Sequence, residues 1–234
     1  MYYFDVEAFA PTASYRLPEA HTFQQTLPLP PITALVGMAG AAMGLTFEQA
    51  MATREEGLLC AVWGRHGGEA GDLWKYRKIK SGEVISAVLT REILFSLELH
   101  IVYAHRDRKR VDALREAFLA PVYALSAGTS DDLLKLRRVG DIMENAGEPR
   151  RHFENTVLPG DHSNNYQSAI KPENIPVARP VRAPRVFLLP VSFNFAGEER
   201  RVNERAHYTF VDTLVILTEP LLAITSGGKV LPLL

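Results

Sequence analysis

FAPTASYRLPEAHTFQQTLPLPPITALVGMAGAAMGL, running from Phe9 to Leu45, joins three kinds of local chemistry in one segment. It begins at the end of a run, Tyr3 to Phe9, in which apolar and polar residues alternate at the period of a strand, and Pro11 is expected to end that strand. Thr12 to Pro31 is rich in proline and polar residues without a sustained period, which predicts an extended loop. Pro31 fits the first turn of a helix because its missing N–H is one that a helix start leaves unpaired anyway. The small apolar residues from Ile32 to Leu45 then predict that helix.

Beyond this segment, Leu58 to Arg65 reads as a strand, and Val84 to Leu89 and Ile93 to Ala104 read as two more. In the last of these Leu97, Leu99 and Ile101 share one face. Val111 to Leu119 fits a short helix ending before Pro121. The order of strand, helix, strands and helix predicts an α+β sandwich with helices on one face of an antiparallel sheet. Residues 1–144 are expected to form the main domain with an insertion near 67–86. Residues 145–185, rich in Pro, Asn, Arg and Gly, are expected to be irregular, and 186–234 to return as strands completing the domain.

Composition narrows the class. With 47% hydrophobic and 23% charged residues, the chain is that of an ordinary globular protein rather than a disordered one. Lys+Arg 26 against Asp+Glu 27 leaves a formal charge of -1, so nucleic-acid binding must come from charge placement and not from bulk charge. The lone cysteine, Cys60, lies in an apolar run, which excludes an intramolecular disulfide and predicts a buried structural thiol. The longest apolar stretch, Ile32 to Leu45, falls short of the about 20 residues that a membrane span needs, and the N-terminus lacks the pattern of a secretion signal. A cytoplasmic protein without membrane contact is expected.

The combination in Phe9 to Leu45 resembles the N-terminal signature of the fifth Cas protein family, in the RAMP superfamily. The resemblance rests on a strand ending at a proline, the Ser14-Tyr15-Arg16 loop, a threonine before paired prolines and a small-residue helix. A second match lies at TREILFSLELHIVYAH and at PVYALSAGTSDDLLKL, Pro121 to Leu136, where the family has a Pro-x-Tyr segment followed by a glycine and an acidic residue. The resemblance implies a ferredoxin-like, RRM-related domain with a β-hairpin thumb and a β-rich C-terminal extension. It implies a non-catalytic subunit of a type I CRISPR Cascade complex, similar to type I-A and I-B relatives, that binds the 5′ handle of crRNA. Implied partners are the backbone RAMP subunit and the large subunit, with target DNA a further contact within the complex. A metal-independent endoribonuclease that processes precursor RNA is the first alternative, since one branch of the family does this. A ferredoxin-like scaffold, or a small-molecule enzyme using a helix start as an anion site, is the other.

Candidate RNA contacts follow from residue chemistry. Trp74, Lys75, Tyr76, Arg77, Lys78 and Lys80 combine cations with aromatic rings, the pairing that holds single-stranded RNA; a solvated charged hairpin has the same composition. Arg108 and Lys109 lie in the basic run His105 to Arg110, which is equally a helix start capped by Asp107. Arg16 can make a planar contact to phosphate or a surface ion pair. Gly37 lies on the helix whose free N–H groups suit an anion, although Gly37, Gly40 and Gly44 also suit close packing. Gly227, Gly228 and Lys229 resemble a shortened RAMP glycine-rich loop, and a tight turn between strands explains them too.

No cofactor is expected and no metal pattern is visible. Neither His100 nor His105 has an acidic partner at ligand spacing. His152, Asp161, His162, Tyr166 and Lys171 are the one conceivable acid–base set, and no catalytic residue is expected.

Overall fold

A computed structural model describes residues 1–17, 23–80, 82–169, 182–197 and 199–234. Its strands are β1 (Tyr2–Ala13), β2 (Tyr15–Arg16), β3 (Phe23–Gln24), β4 (Thr26–Leu27), β5 (Leu59–Arg65), β6 (Gly68–Lys80), β7 (Glu83–His105) and β8 (Lys135–Val139). They continue as β9 (Met143–Glu144), β10 (Glu148–Phe153), β11 (Thr156–Pro159), β12 (Tyr166–Ser168), β13 (Arg185–Ala196), β14 (Glu199–Val211), β15 (Val215–Ser226) and β16 (Lys229–Pro232). The helices are α1 (Ile32–Met43), α2 (Phe47–Glu55) and α3 (Arg108–Leu119). The fold is α+β, dominated by sheet.

The main sheet runs β13-β14-β11-β5-β7-β1-β8, with β6, β3 and β9 joined at its margins. Its centre is the antiparallel pair of β1 and β7, from Tyr2 opposite His105 to Ala13 opposite Leu94. Alternation along β1 sends Phe4, Val6, Ala8 and Ala10 into the main core and Tyr3 into a second one. Both faces of the centre are therefore covered near its Tyr2 end.

On one face lie the helices. α1 starts at Pro31 and ends on Gly44, which takes φ 73° as a left-handed cap. A Cβ on Gly40 would lie 2.4 Å from the Ala50 Cβ, so this glycine is what lets α1 and α2 touch. Thr46 and Gln49 form a reciprocal capping box at the start of α2. α3 buries Val111, Leu114 and Phe118 along one stripe, and Asp107 accepts from the Lys109 N–H at its start. Phe118 meets Phe4 and Tyr103 at ring-centroid distances of 5.8 and 5.0 Å, and the buried Tyr103 hydroxyl donates to the Leu35 carbonyl at 2.9 Å. On the other face the β15–β16 hairpin packs Ile224 and Leu231 on Tyr3, Ala61, Val102 and Ala104. Cys60 is fully buried among core residues, and burial pushes its thiol up to about 12. No helix among the described residues is long and apolar enough to cross a membrane.

Four expectations need correction. Pro11 does not end β1: the strand continues to Ala13, with Pro11 skipped in the ladder near Ser96, whose φ is 50°. The two strands expected at 84–104 are one strand of 23 residues, since the intervening polar residues lie on a hairpin that needs no break. Residues 145–185 are not uniformly irregular, because β10, β11 and β12 fall within them. β10 and β12 pair with β15, and β11 bridges β5 and β14, so these short strands are specified by distant partners rather than by their own period. α2 was not expected at all, since its sequence has no apolar stripe and buries only Ala50 and Met51.

The signature residues interlock. Tyr15 N–H donates to Thr26 Oγ1 at 2.8 Å, Thr26 N–H donates to Glu92 Oε2 at 3.1 Å, and Ser14 Oγ donates to the Glu92 carbonyl at 3.1 Å. Ser14 N–H donates to the Ala127 carbonyl, while buried Asp132 accepts from the hydroxyls of Thr12 and Thr129. Gly128 adopts φ 105°, and a Cβ there would lie 2.0 Å from the Ser14 carbonyl oxygen. Gly128→Ala combines that clash with a backbone conformation disfavoured for L residues, and should cost at least about 2 kcal/mol in denaturant unfolding. Tyr103→Phe, which removes a second donor from the Leu35 carbonyl while its bond within α1 remains, should cost roughly 0.5–1.5 kcal/mol. Leu73→Ala, at a side chain 74% exposed, should stay within about 0.5 kcal/mol of wild type.

Candidate functional site

β6 and the first half of β7 form a long two-stranded hairpin, paired from Gly68 opposite Phe95 to Lys80 opposite Glu83. At about 3.3 Å per residue such a ribbon reaches roughly 40 Å. Strand alternation sorts its side chains onto two faces. Trp74 and Tyr76 stand over Leu89 and Ala87, their rings stacked at 5.6 Å, with the Arg91 guanidinium 5.5 Å from the Trp74 ring. Arg91 is held by Asp72 at 3.0 Å. Lys75 and Arg77 face the other way, among exposed Leu73, Ile79, Val84 and Val88. The single aromatic and cationic surface expected from WKYRKIK is thus split by the strand period. Lys78 and Lys80 share the parity of Trp74, and their side chains lie outside the described residues.

The irregularity at Ser96 matters for where this aromatic face points. Leu94 and Leu97 both enter the main core, so alternation shifts by one between them. Arg91 and Leu89, with Trp74 and Tyr76 across from them, consequently start out on the side of the sheet that carries Glu98 and Phe9.

That side holds cations over rings that sequence reasoning missed. The Arg137 guanidinium lies 4.6 Å from the Phe9 ring, and Arg65 and the Lys229 ammonium lie 5.9 and 4.9 Å from Trp63. Glu98 ties Arg65 at 3.0 Å and Arg137 at 3.5 Å, and these two guanidiniums hold its carboxyl below the usual range. Gly227 and Gly228 turn β15 into β16 with φ of 55° and 73°. The turn sits on His100, so of the predicted contacts Gly227, Gly228 and Lys229 join this surface. The signal available in the sequence was parity: Phe9 has the parity of Tyr3, opposite to the core residues Phe4, Val6 and Ala8.

Other predicted residues stand elsewhere. Arg108 and Lys109 begin α3 on the helix-covered face, with Arg108 3.8 Å from Asp112. Gly37 is on α1, also on the helix face, with open space before its Cα. Arg16 is exposed on β2 opposite Thr26. Of the conceivable acid–base set, the structure places His152 on β10 and Tyr166 on β12. β15 lies between the strands of His152 and Tyr166, placing their backbones about 10 Å apart, and Lys171 lies outside the described residues. His100 does have acidic neighbours, contrary to the spacing argument. Asp5 and Glu7 come from β1, at 3.3 and 3.9 Å.

The hairpin is anchored at its base. Arg182 binds Glu69 through two hydrogen bonds, one of 2.8 Å, and that guanidinium holds the Glu69 carboxyl below the usual carboxylate range. A depressed acid contributes stability above its unfolded value that is lost as pH falls through the folded one. Wild type should therefore lose up to about 1 kcal/mol more than Glu69→Gln on acidification from pH 6 to pH 3, read from urea unfolding at each pH.

The family model described as CRISPR-associated protein (Cas_Cas5) matches residues 4–188. No curated relative matches the sequence. Among solved structures, a chain of a CRISPR RNA-guided surveillance complex superposes with TM-score 0.56 at 17% identity, covering 93% of this chain and 91% of that one. A CRISPR protein from Archaeoglobus fulgidus gives 0.54 at 10% identity, with 99% of each chain covered. A chain of the Type III-B Cmr-beta complex bound to cognate target RNA and AMPPnP gives 0.53 at 10% identity, covering 93% of this chain and 86% of that one. The fold is shared with all three, and the family match spans both halves of the interlocked signature. The chain belongs to the CRISPR-associated Cas5 protein family.

Proposed function

We propose that this protein is a non-catalytic subunit of a type I CRISPR surveillance complex that binds the repeat-derived 5′ handle of the guide RNA. In this reading the sheet and helices are a ferredoxin-like RAMP domain, the β6–β7 hairpin is its thumb, and the backbone and large subunits are its neighbours. The observation that carries it is the series of rings each paired with a cation, Phe9 with Arg137, Trp63 with Lys229 and Arg65, and Trp74 with Arg91. Stacking rings with adjacent cations suit bases and phosphates of a single strand without requiring bulk positive charge. The family match and the resemblance to a chain of an RNA-guided complex point the same way.

Purified protein mixed with labelled repeat RNA tests this. Binding of intact RNA, weakening steeply with salt, is expected. Site-specific cleavage that persists in EDTA would replace this reading with the endoribonuclease one. Stacking contributes on the order of 1–3 kcal/mol per base, so Trp74→Ala/Tyr76→Ala should weaken handle binding roughly 10-fold or more at moderate salt. Lys75→Ala/Arg77→Ala, on the opposite face, should weaken it less. Equal affinities for both double variants and wild type would remove the hairpin from the RNA site.

A further inference from the structure

The helix-covered face, turned away from the aromatic surface, carries a cavity of about 210 Å³. Phe4 of β1, Ala39 and Met43 of α1, Tyr103 of β7 and Val111 and Leu114 of α3 form much of its wall. Apolar walls give water too few hydrogen-bond partners to hold it well. Each wall atom also forfeits the dispersion contacts that a matching apolar group would restore.

The polar side chains of the lining are spent, with one exception. Thr53 Oγ1 donates to the Ala50 carbonyl at 2.6 Å, and the Tyr103 hydroxyl to the Leu35 carbonyl at 2.9 Å. His105 accepts at Nδ1 from the Asp107 N–H at 2.8 Å, so its Nε2 carries the proton that goes to the Glu56 carbonyl at 3.0 Å. Arg110 is bonded to the Glu56 carboxylate. That leaves Lys109, an exposed cation on the lip whose ammonium has no partner among the described residues. The apolar surface also continues past the mouth. Met43, which lines the cavity, is 37% exposed, and Val122 and Tyr123, 63% and 59% exposed, are fastened to the same end of α1 by N–H donation to the Ala42 and Ala41 carbonyls.

We propose that this cavity docks one large apolar side chain of a partner protein, of leucine or phenylalanine size, whose neighbouring acidic residue pairs with Lys109. An apolar pocket beside exposed apolar side chains, with a charge at its rim, is how protein interfaces seat an anchor residue. A free small molecule would fill the cavity and leave Val122 and Tyr123 bare. A second copy of this chain is a poor occupant, because a two-fold contact would bring two Lys109 lips together. The inference rests on the proposed function only for who the partner is, namely a neighbouring subunit of the complex.

Selection of phage-displayed random peptides on the full chain tests it. Enrichment of peptides in which leucine or phenylalanine stands beside aspartate or glutamate is expected, with a shift of the Met43 methyl resonance and a rise in melting temperature as a selected peptide is added. Lys109→Glu, at an exposed side chain, should weaken binding of that peptide at least about 10-fold, since a charge-assisted contact becomes a repulsion. Ala113→Trp, which sets a ring at the mouth, should weaken it at least about 10-fold as well. No enrichment, enrichment of basic peptides, or equal affinity of wild type and the two folded variants would overturn the site. Octanoate bound more tightly than any selected peptide would also overturn it, since the cavity would then serve a small molecule. Both variants should bind labelled repeat RNA as wild type does. Loss of RNA binding in all three chains, with peptide binding intact in wild type, would sink the proposed function and leave this site standing.

Discussion

Everything in this protein hangs on the pairing of β1 with β7. β7 is hydrogen-bonded to β1 and β5 along its core half and to β6 along its outer half, so one continuous backbone serves both the buried sheet and the projecting hairpin. An isolated two-stranded ribbon is marginal in water. Here its register is inherited from a core half whose hydrophobic faces do not permit a slip.

The second constraint is the interlock around Ser14 and Gly128. The Ser-Tyr-Arg loop, the threonine before the prolines and the later glycine with its acidic residue carry the family resemblance when read along the chain. In space they bind one another: Thr26 to Tyr15 and Glu92, Gly128 against Ser14, Asp132 to Thr12 and Thr129. Their types suit close backbone approach and buried hydrogen bonds, which few other residues supply. The aromatic and cationic pairs available to a ligand lie away from this knot, on the open part of the sheet and on the hairpin.

The polar cluster of Asp5, Glu7 and His100 and the surface site share β1 but use different residues of one face. Near Asp5 and Glu7 the C-terminal turn covers the sheet, and polar groups there pair with one another and with Arg138. Toward Phe9 the cover ends, and rings with guanidiniums above them are left half-exposed. The length of the β15–β16 hairpin thus sets the boundary between the covered and open sheet.

Local period and turn chemistry were enough to determine the first strand, α1 behind Pro31, most of α3, the burial of Cys60 and the glycine turn near the C-terminus, because each depends on neighbours a few residues away. The family was legible for the same reason, in contiguous motifs. What only the tertiary structure decided is set by contacts between distant residues. β10, β11 and β12 are too short to show a period, α2 has no apolar stripe, and the partners of His100 come from β1. The pairs Arg137 with Phe9 and Lys229 with Trp63 cross the sheet. The split of Trp74 and Tyr76 from Lys75 and Arg77 was implicit in the strand period, yet which side each face joins depended on an irregularity at Ser96 that local sequence does not announce.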